Sequence, residues 1–316
     1  MKHNIKITAL LLGMFLIAQF IGLYVASQYM PVKQHIYNNE TGGKTDIIQN
    51  YSEENKVPYG MQPEEYEKPG LFSIILSFII AICLILVIMK YKWRWVIRIF
   101  FFFVITIALA IFFNSVLKHV FLYSALISSG IALIFSFWKI FKPNFLVHNI
   151  TELLIYPGIA PVFIIIFNPI SIIILLIIIS VYDMWAVWHS GIMQKMAKFQ
   201  IEEAGVFGGL FIPYLTKKLK AKIAKFKKFK LNQKKKIKIS LAMLGGGDII
   251  FPIITSGVFL REFGLLSALS ITMGAFAGLL FLFIISKKKK FYPAMPFITS
   301  GIFFGLLIWK FLSFAF

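Results

Sequence analysis

The chain has 316 residues, 59% of them hydrophobic and 35 of them Phe, with a formal net charge of +20. A soluble domain is about 45–50% apolar, so the excess excludes a single globular core of ordinary composition. The basic balance admits nucleic acid or anionic lipid as a partner, and the placement of the lysines decides between them.

A membrane-spanning helix needs about 20 mostly apolar residues, and nine such spans are predicted along the chain. The first, 7–28, follows Lys2 and Lys6; it is longer than a signal-peptide core and is read as an uncleaved helix. The loop 29–70 collects Glu40, Asp46, Glu53, Glu54, Glu64, Glu65 and Glu67. The next spans are 71–89, which holds the unpaired Cys83, then 95–113, 120–138, 146–167 and 170–189. Lys90, Lys92 and Arg94 separate the second from the third, and Lys139 and Lys142 separate the fourth from the fifth. A basic segment 194–238 with 14 Lys precedes the last three spans, 239–260, 263–286 and 292–315, and four lysines at 287–290 precede the ninth.

With nine helices every basic cluster falls on one side. The positive-inside bias then places the N-terminus in the cytoplasm and the C-terminus outside. The chain divides into a six-helix bundle over 1–190, a basic cytoplasmic loop over 191–238 and a three-helix bundle over 239–316. The lysines of 215–238 adjoin membrane helices and suit anionic headgroups, with the makings of an amphipathic interfacial helix. No nucleic-acid motif accompanies them, so nucleic acid is not expected as a partner.

Ionisable groups inside a span are costly and need a reason. Three acidic residues lie well within spans: Glu152, Asp183 and Asp248. Asn149 followed by Glu152 has the form of a capping box at the start of the fifth span. Asp183 and Asp248 have no such reading. By helical rise they lie about 10 Å and about 15 Å from the cytoplasmic side of consecutive antiparallel helices, so they can face each other. Two such carboxylates share a proton and act as one acid and one base, able to activate water against a peptide carbonyl without metal or cofactor. His3, His35, His119, His148 and His189 are scattered without ligand spacing, and no metal site is expected. Gly245, Gly246 and Gly247, directly before Asp248, weaken a helix and permit close backbone approach. Pro293 and Pro296 in "YPAMP" open the ninth span.

These pieces together resemble the presenilin and signal peptide peptidase family of intramembrane aspartyl proteases. Tyr182-Asp183 matches the family's YD in helix six, Gly245-Gly246-Gly247-Asp248 its GxGD in helix seven, and Pro293-Ala294-Met295 its PAL, with Met295 in place of Leu. The resemblance implies an all-α, nine-helix presenilin-like fold with Asp183 and Asp248 catalytic. It implies that Tyr182, Gly245, Gly246, Gly247, Pro293, Ala294, Met295 and Pro296 shape the substrate site. It also implies transmembrane-helix substrates that unwind near the site. Orientation favours the presenilin-like branch, and the short loops resemble a microbial, archaeal-type homologue that needs no obligatory partner subunit. Self-association is left open. Two rivals stand beside this reading. Prepilin peptidases carry a GxGD followed closely by Lys, where this chain has Ile249-Ile250. A transporter would use both carboxylates as proton or cation ligands, but no inverted repeat is visible.

Overall fold

The computed structural model describes residues 5–29, 33–37, 44–48, scattered positions between 73 and 91, 94–142, 144–190, 208–214, 240–286 and 292–315. Eight helices run in chain order: α1 (Ile5–Gln28), α2 (Arg94–Leu117), α3 (Ser124–Phe141), α4 (Phe145–Ile166), α5 (Pro169–Trp185), α6 (Gly246–Phe263), α7 (Leu265–Ile285) and α8 (Met295–Ala315). Seven of them are long and apolar enough to cross a membrane. The exception is α6, which is 18 residues long and carries Asp248, Arg261 and Glu262. The second predicted span, 71–89, and the interfacial helix expected over 215–238 lie largely or wholly outside the described residues. Large apolar side chains such as Phe103, Leu126, Ile134 and Phe311 cover the outer surface. A surface of that kind suits hydrocarbon rather than water.

The fold is helical as expected, and among the described residues two short antiparallel hairpins accompany the helices. The first pairs β1 (Lys33–Tyr37) with β2 (Lys44–Ile48), and the second pairs β3 (Gly209–Tyr214) with β4 (Ser240–Gly245). The second hairpin corrects two expectations. A stretch of the segment read as a loop, 191–238, is a strand. The span read as a continuous helix over 239–260 is a strand to Gly245 and a helix only from Gly246. A six-residue apolar run fits a buried strand as well as a helix. Here the partner strand takes its backbone groups, in a register from Gly209 opposite Gly245 to Tyr214 opposite Ser240. Helical rise therefore cannot measure the depth of Asp248 from Lys238.

The core gathers residues of α1, α4, α5, α6, α7 and α8 with both strands of the second hairpin, including Phe15, Ile164, Leu176, Leu210, Ile253, Leu279 and Ile302. Helices α7 and α8 pack closely over several turns. A Cβ added at Gly274 would lie 2.2 Å from the Gly301 carbonyl oxygen, and one at Gly278 would lie 2.3 Å from that of Phe297. Glycines at four-residue spacing on both helices thus bring backbone against backbone, as small residues do in membrane interfaces. Connections are short. Asn168 caps α5 by accepting the Ser171 N–H at 2.7 Å, with Pro169 at the first helical position. Gly264, at φ 82°, turns α6 into α7. Arg261, in the last turn of α6, donates to the carbonyls of Ile164 and, at 2.8 Å, Phe167, satisfying the end of α4.

Candidate active site

Asp183 lies in the last turn of α5, which continues as a single π-helical turn, Ala186–Ser190. Its side chain is almost buried, and its Oδ2 accepts the Met295 N–H at 3.1 Å. The Ala294 N–H lies close to the same carboxyl group. Both N–H groups stand at the start of α8, where first-turn N–H groups have no partner within the helix. A helix N-terminus is thereby aimed at a carboxylate, which it favours electrostatically. Pro293 and Pro296 flank these donors and withhold N–H groups of their own. Ser180, three residues before Asp183, and Thr299, four residues after Met295, share a buried hydrogen bond at 2.8 Å. It fixes α8 against α5 within a turn of the carboxylate.

Asp248 enters from the other side, in the first turn of α6. Gly245 is the N-cap residue, and its backbone N–H stands close to the Asp248 carboxyl, on the side where the return half of a capping box would form. A Cβ at Gly245 would stand 3.1 Å from Asp248 Oδ2, so a side chain there would press on the carboxylate. At Gly246 a Cβ would meet the Tyr156 hydroxyl at 2.6 Å, whereas at Gly247 it would meet only Phe251, at 3.7 Å. Of the three glycines, Gly246 alone stands where an added carbon would overlap a neighbour outright. On the far side of α6, Gln19 of α1 donates to the Ile249 carbonyl at 3.0 Å.

The structure brings Asp183 and Asp248 near enough for the charge of one to be felt at the other. Ala294 and Met295 join them through their backbone. Tyr182 is 38% exposed, and its described ring contact is Trp185, at 6.2 Å between centroids. It is not among the groups gathered at the carboxylates.

Glu152 departs from the capping-box expectation. The N-cap of α4 is Asn144, whose side chain accepts the Leu146 N–H. Glu152, further into the membrane, is instead buried in an ion pair with Lys139 of α3. Lys139, read in the sequence as a cytoplasmic loop residue, is only 6% exposed and also donates to Thr151 Oγ1 at 3.2 Å. Asn149 serves the second hairpin: its Nδ2 donates to the Phe211 carbonyl at 2.9 Å and its Oδ1 accepts the Phe211 N–H at 3.1 Å. His148 Nε2 donates to the Gly209 carbonyl at 2.9 Å, which fixes its tautomer. The first two turns of α4 thus hold the strand that pairs with the approach to Asp248.

Chemically, two carboxylates from different helices, each with backbone N–H groups beside it, can divide one proton between them. One polarises a carbonyl while the other activates water.

The family model described as signal-peptide peptidase, presenilin aspartyl protease matches residues 54–315. Two solved structures share the fold, each of a presenilin family intramembrane aspartate protease. The one in space group P2 is 19% identical, with 96% of this chain and 98% of that chain covered and a TM-score of 0.59. The one in C222 is 17% identical, with 94% of each covered and a TM-score of 0.56. No curated protein matches the chain.

Proposed function

The chain belongs to the signal-peptide peptidase and presenilin aspartyl protease family, and from that premise we propose that Asp183 and Asp248 are the catalytic pair of this integral membrane endopeptidase. The observation that supports the assignment is that α5 and α6 bring them within electrostatic reach, with the Met295 N–H donated to Asp183. The ionised member takes a proton from water, which attacks the peptide carbon. The protonated member hydrogen-bonds the carbonyl oxygen as it becomes tetrahedral. Collapse of that intermediate expels the amine, which leaves with a proton from the pair.

The substrate is a transmembrane helix unwound near the site. Its extended segment adds to the β3–β4 hairpin or to the backbone beside Pro293, in the manner of strand addition. That hairpin ends at Gly245, three residues from Asp248, which supports the reading. The spans number nine, with 71–89 as the second and α6 as the seventh. The N-terminus is cytoplasmic and the C-terminus extracellular. The chain divides into the bundle 1–190, a basic segment 191–238 whose strand β3 joins the core and whose lysines meet anionic headgroups, and the bundle 239–316. Catalysis requires neither a cofactor nor a partner subunit.

The test is cleavage of a labelled single-span peptide by the purified protein, with Asp183→Asn and Asp248→Asn alongside. Wild type cuts, and both variants are inert while melting as wild type does. Equal cleavage by all three would overturn the assignment, as would proton or cation flux that depends on both residues in a protein that cuts nothing.

A further inference from the structure

The motif before Asp248 has glycine at its variable position, Gly246, and the space a side chain would fill there is already taken. A Cβ at Gly246 would lie 2.6 Å from Tyr156 Oη, 2.9 Å from Cε1 and 3.0 Å from Cζ. Real carbon contacts do not come so close, so the phenol of α4 and the bare backbone of α6 are complementary surfaces. Tyr156 is 6% exposed.

Its hydroxyl is the unusual feature. Among the described residues, Tyr156 Oη has no partner at hydrogen-bonding geometry, although it is fully buried. Leaving such a donor unmet costs stability, and buried phenols usually find an acceptor. Glu152 is the stronger neighbour of the hydroxyl, close to it as an acceptor though outside good hydrogen-bonding geometry, and Asp248 acts on it more weakly, through its charge. Glu152 stands one turn before Tyr156 on the same face of α4, but its Oε1 is engaged by Lys139, with His148 Nε2 at 3.9 Å. The lysine neutralises Glu152, so the acceptor whose charge changes during the reaction is Asp248.

Resting on the dyad reading above, we propose that Tyr156 is a positioning residue of this protease. Its ring replaces the missing side chain at Gly246 and holds the backbone that presents Asp248. Its hydroxyl is the donor that Asp248 takes up when it passes its proton on. The group acts through Asp248 and does not touch substrate.

Two measurements test the two halves. The first is thermal melting of the purified full chain, which needs no substrate. Gly246→Ala lowers Tm by several degrees, and Tyr156→Leu in the same chain restores some of that loss, because removing the phenol vacates the space the new Cβ needs. Additive losses would overturn the packing half, whether or not the protein is a protease. The second is steady-state cleavage of the labelled single-span peptide by Tyr156→Phe, with wild type and Asp248→Asn as references. Tyr156→Phe keeps the ring, melts at or above the wild-type temperature, and leaves KM unchanged while kcat falls about tenfold, the effect of roughly one hydrogen bond made only in the transition state. Unchanged kcat in Tyr156→Phe, beside an active wild type and an inert Asp248→Asn, would overturn the hydroxyl half and leave the dyad standing. Cleavage by Asp248→Asn at the wild-type rate would overturn both this half and the dyad.

Discussion

Substituting Lys139 by Met removes one member of an ion pair whose side chains are 3% and 4% exposed. Among the described residues, the Glu152 carboxylate then keeps only His148, at 3.9 Å, as a basic neighbour. It keeps its desolvation penalty and loses most of the compensating attraction. Breaking a buried pair from one side costs about 3–5 kcal/mol, whereas replacing both members by apolar residues is often neutral or better. Lys139→Met should therefore lower Tm by on the order of 10 °C, taking about 2–4 °C per kcal/mol from soluble domains of 150–250 residues. Lys139→Met with Glu152→Met should melt within about 1 kcal/mol of wild type, a coupling energy of at least about 5 kcal/mol between the sites. The assay is thermal unfolding in detergent, followed by intrinsic fluorescence, on wild type, both single variants and the double. If Lys139→Met melts with wild type, or if the double variant melts as low as the single ones, the two groups are not a desolvated pair. The account of Glu152 as a neutralised neighbour of Tyr156 would then fall with it.

Gly301→Val should separate α7 from α8, since even a Cβ there lies 2.2 Å from the Gly274 carbonyl oxygen; Gly13→Ala, with open space around it, serves as the control that keeps its Tm. Asn149→Ala removes both hydrogen bonds that its side chain makes to the Phe211 backbone, each worth about 0.5–1.5 kcal/mol net. It should slow cleavage while helical circular dichroism is kept, and a wild-type rate would show that the hairpin does not need this clamp. The pH–rate profile of kcat should be bell-shaped: activity falls at low pH when both aspartates hold protons and at high pH when neither does. A profile with only one limb across the stable range would contradict a shared proton.

The features legible in the sequence were those written in local pattern. Apolar runs of about 20 residues locate spans because a bilayer sets the length of its helices. Asp183 and Asp248 stand out because hydrocarbon makes an ionisable group rare. What escaped was pairing across distance. Nothing in the run 240–245 says that 209–214 lies beside it, and hydropathy ranks an apolar strand and the first turns of a helix alike. Lys139 reads as a loop lysine until Glu152 of the next helix is seen to cover it. Tyr156, Ser180 and Thr299 are unremarkable residues in apolar runs, and only packing makes them neighbours of the motifs. One signal was available for Tyr156: with Glu152 and His148 it forms a polar stripe at four-residue spacing on an otherwise apolar helix.

The change from strand to helix at Gly245 connects the chemistry to the state the substrate must adopt. A peptide bond inside a helix has its carbonyl committed to an N–H four residues on, so a protease working in hydrocarbon must offer the opened backbone other partners. An extended strand offers such partners; a helix does not. Here β4 supplies extended backbone up to Gly245, and the chain becomes helical at the next residue, so Asp248 stands within one turn of the point where strand pairing ends. Under the proposed function, one tripeptide of glycine lets three requirements meet: a strand edge for the unwound substrate, a helix start whose N-cap N–H stands close to the carboxylate, and a gap into which α4 sets Tyr156. A continuous helix over 239–260 would meet the second of these at most. The departure from the sequence expectation is therefore at the same place as the proposed function.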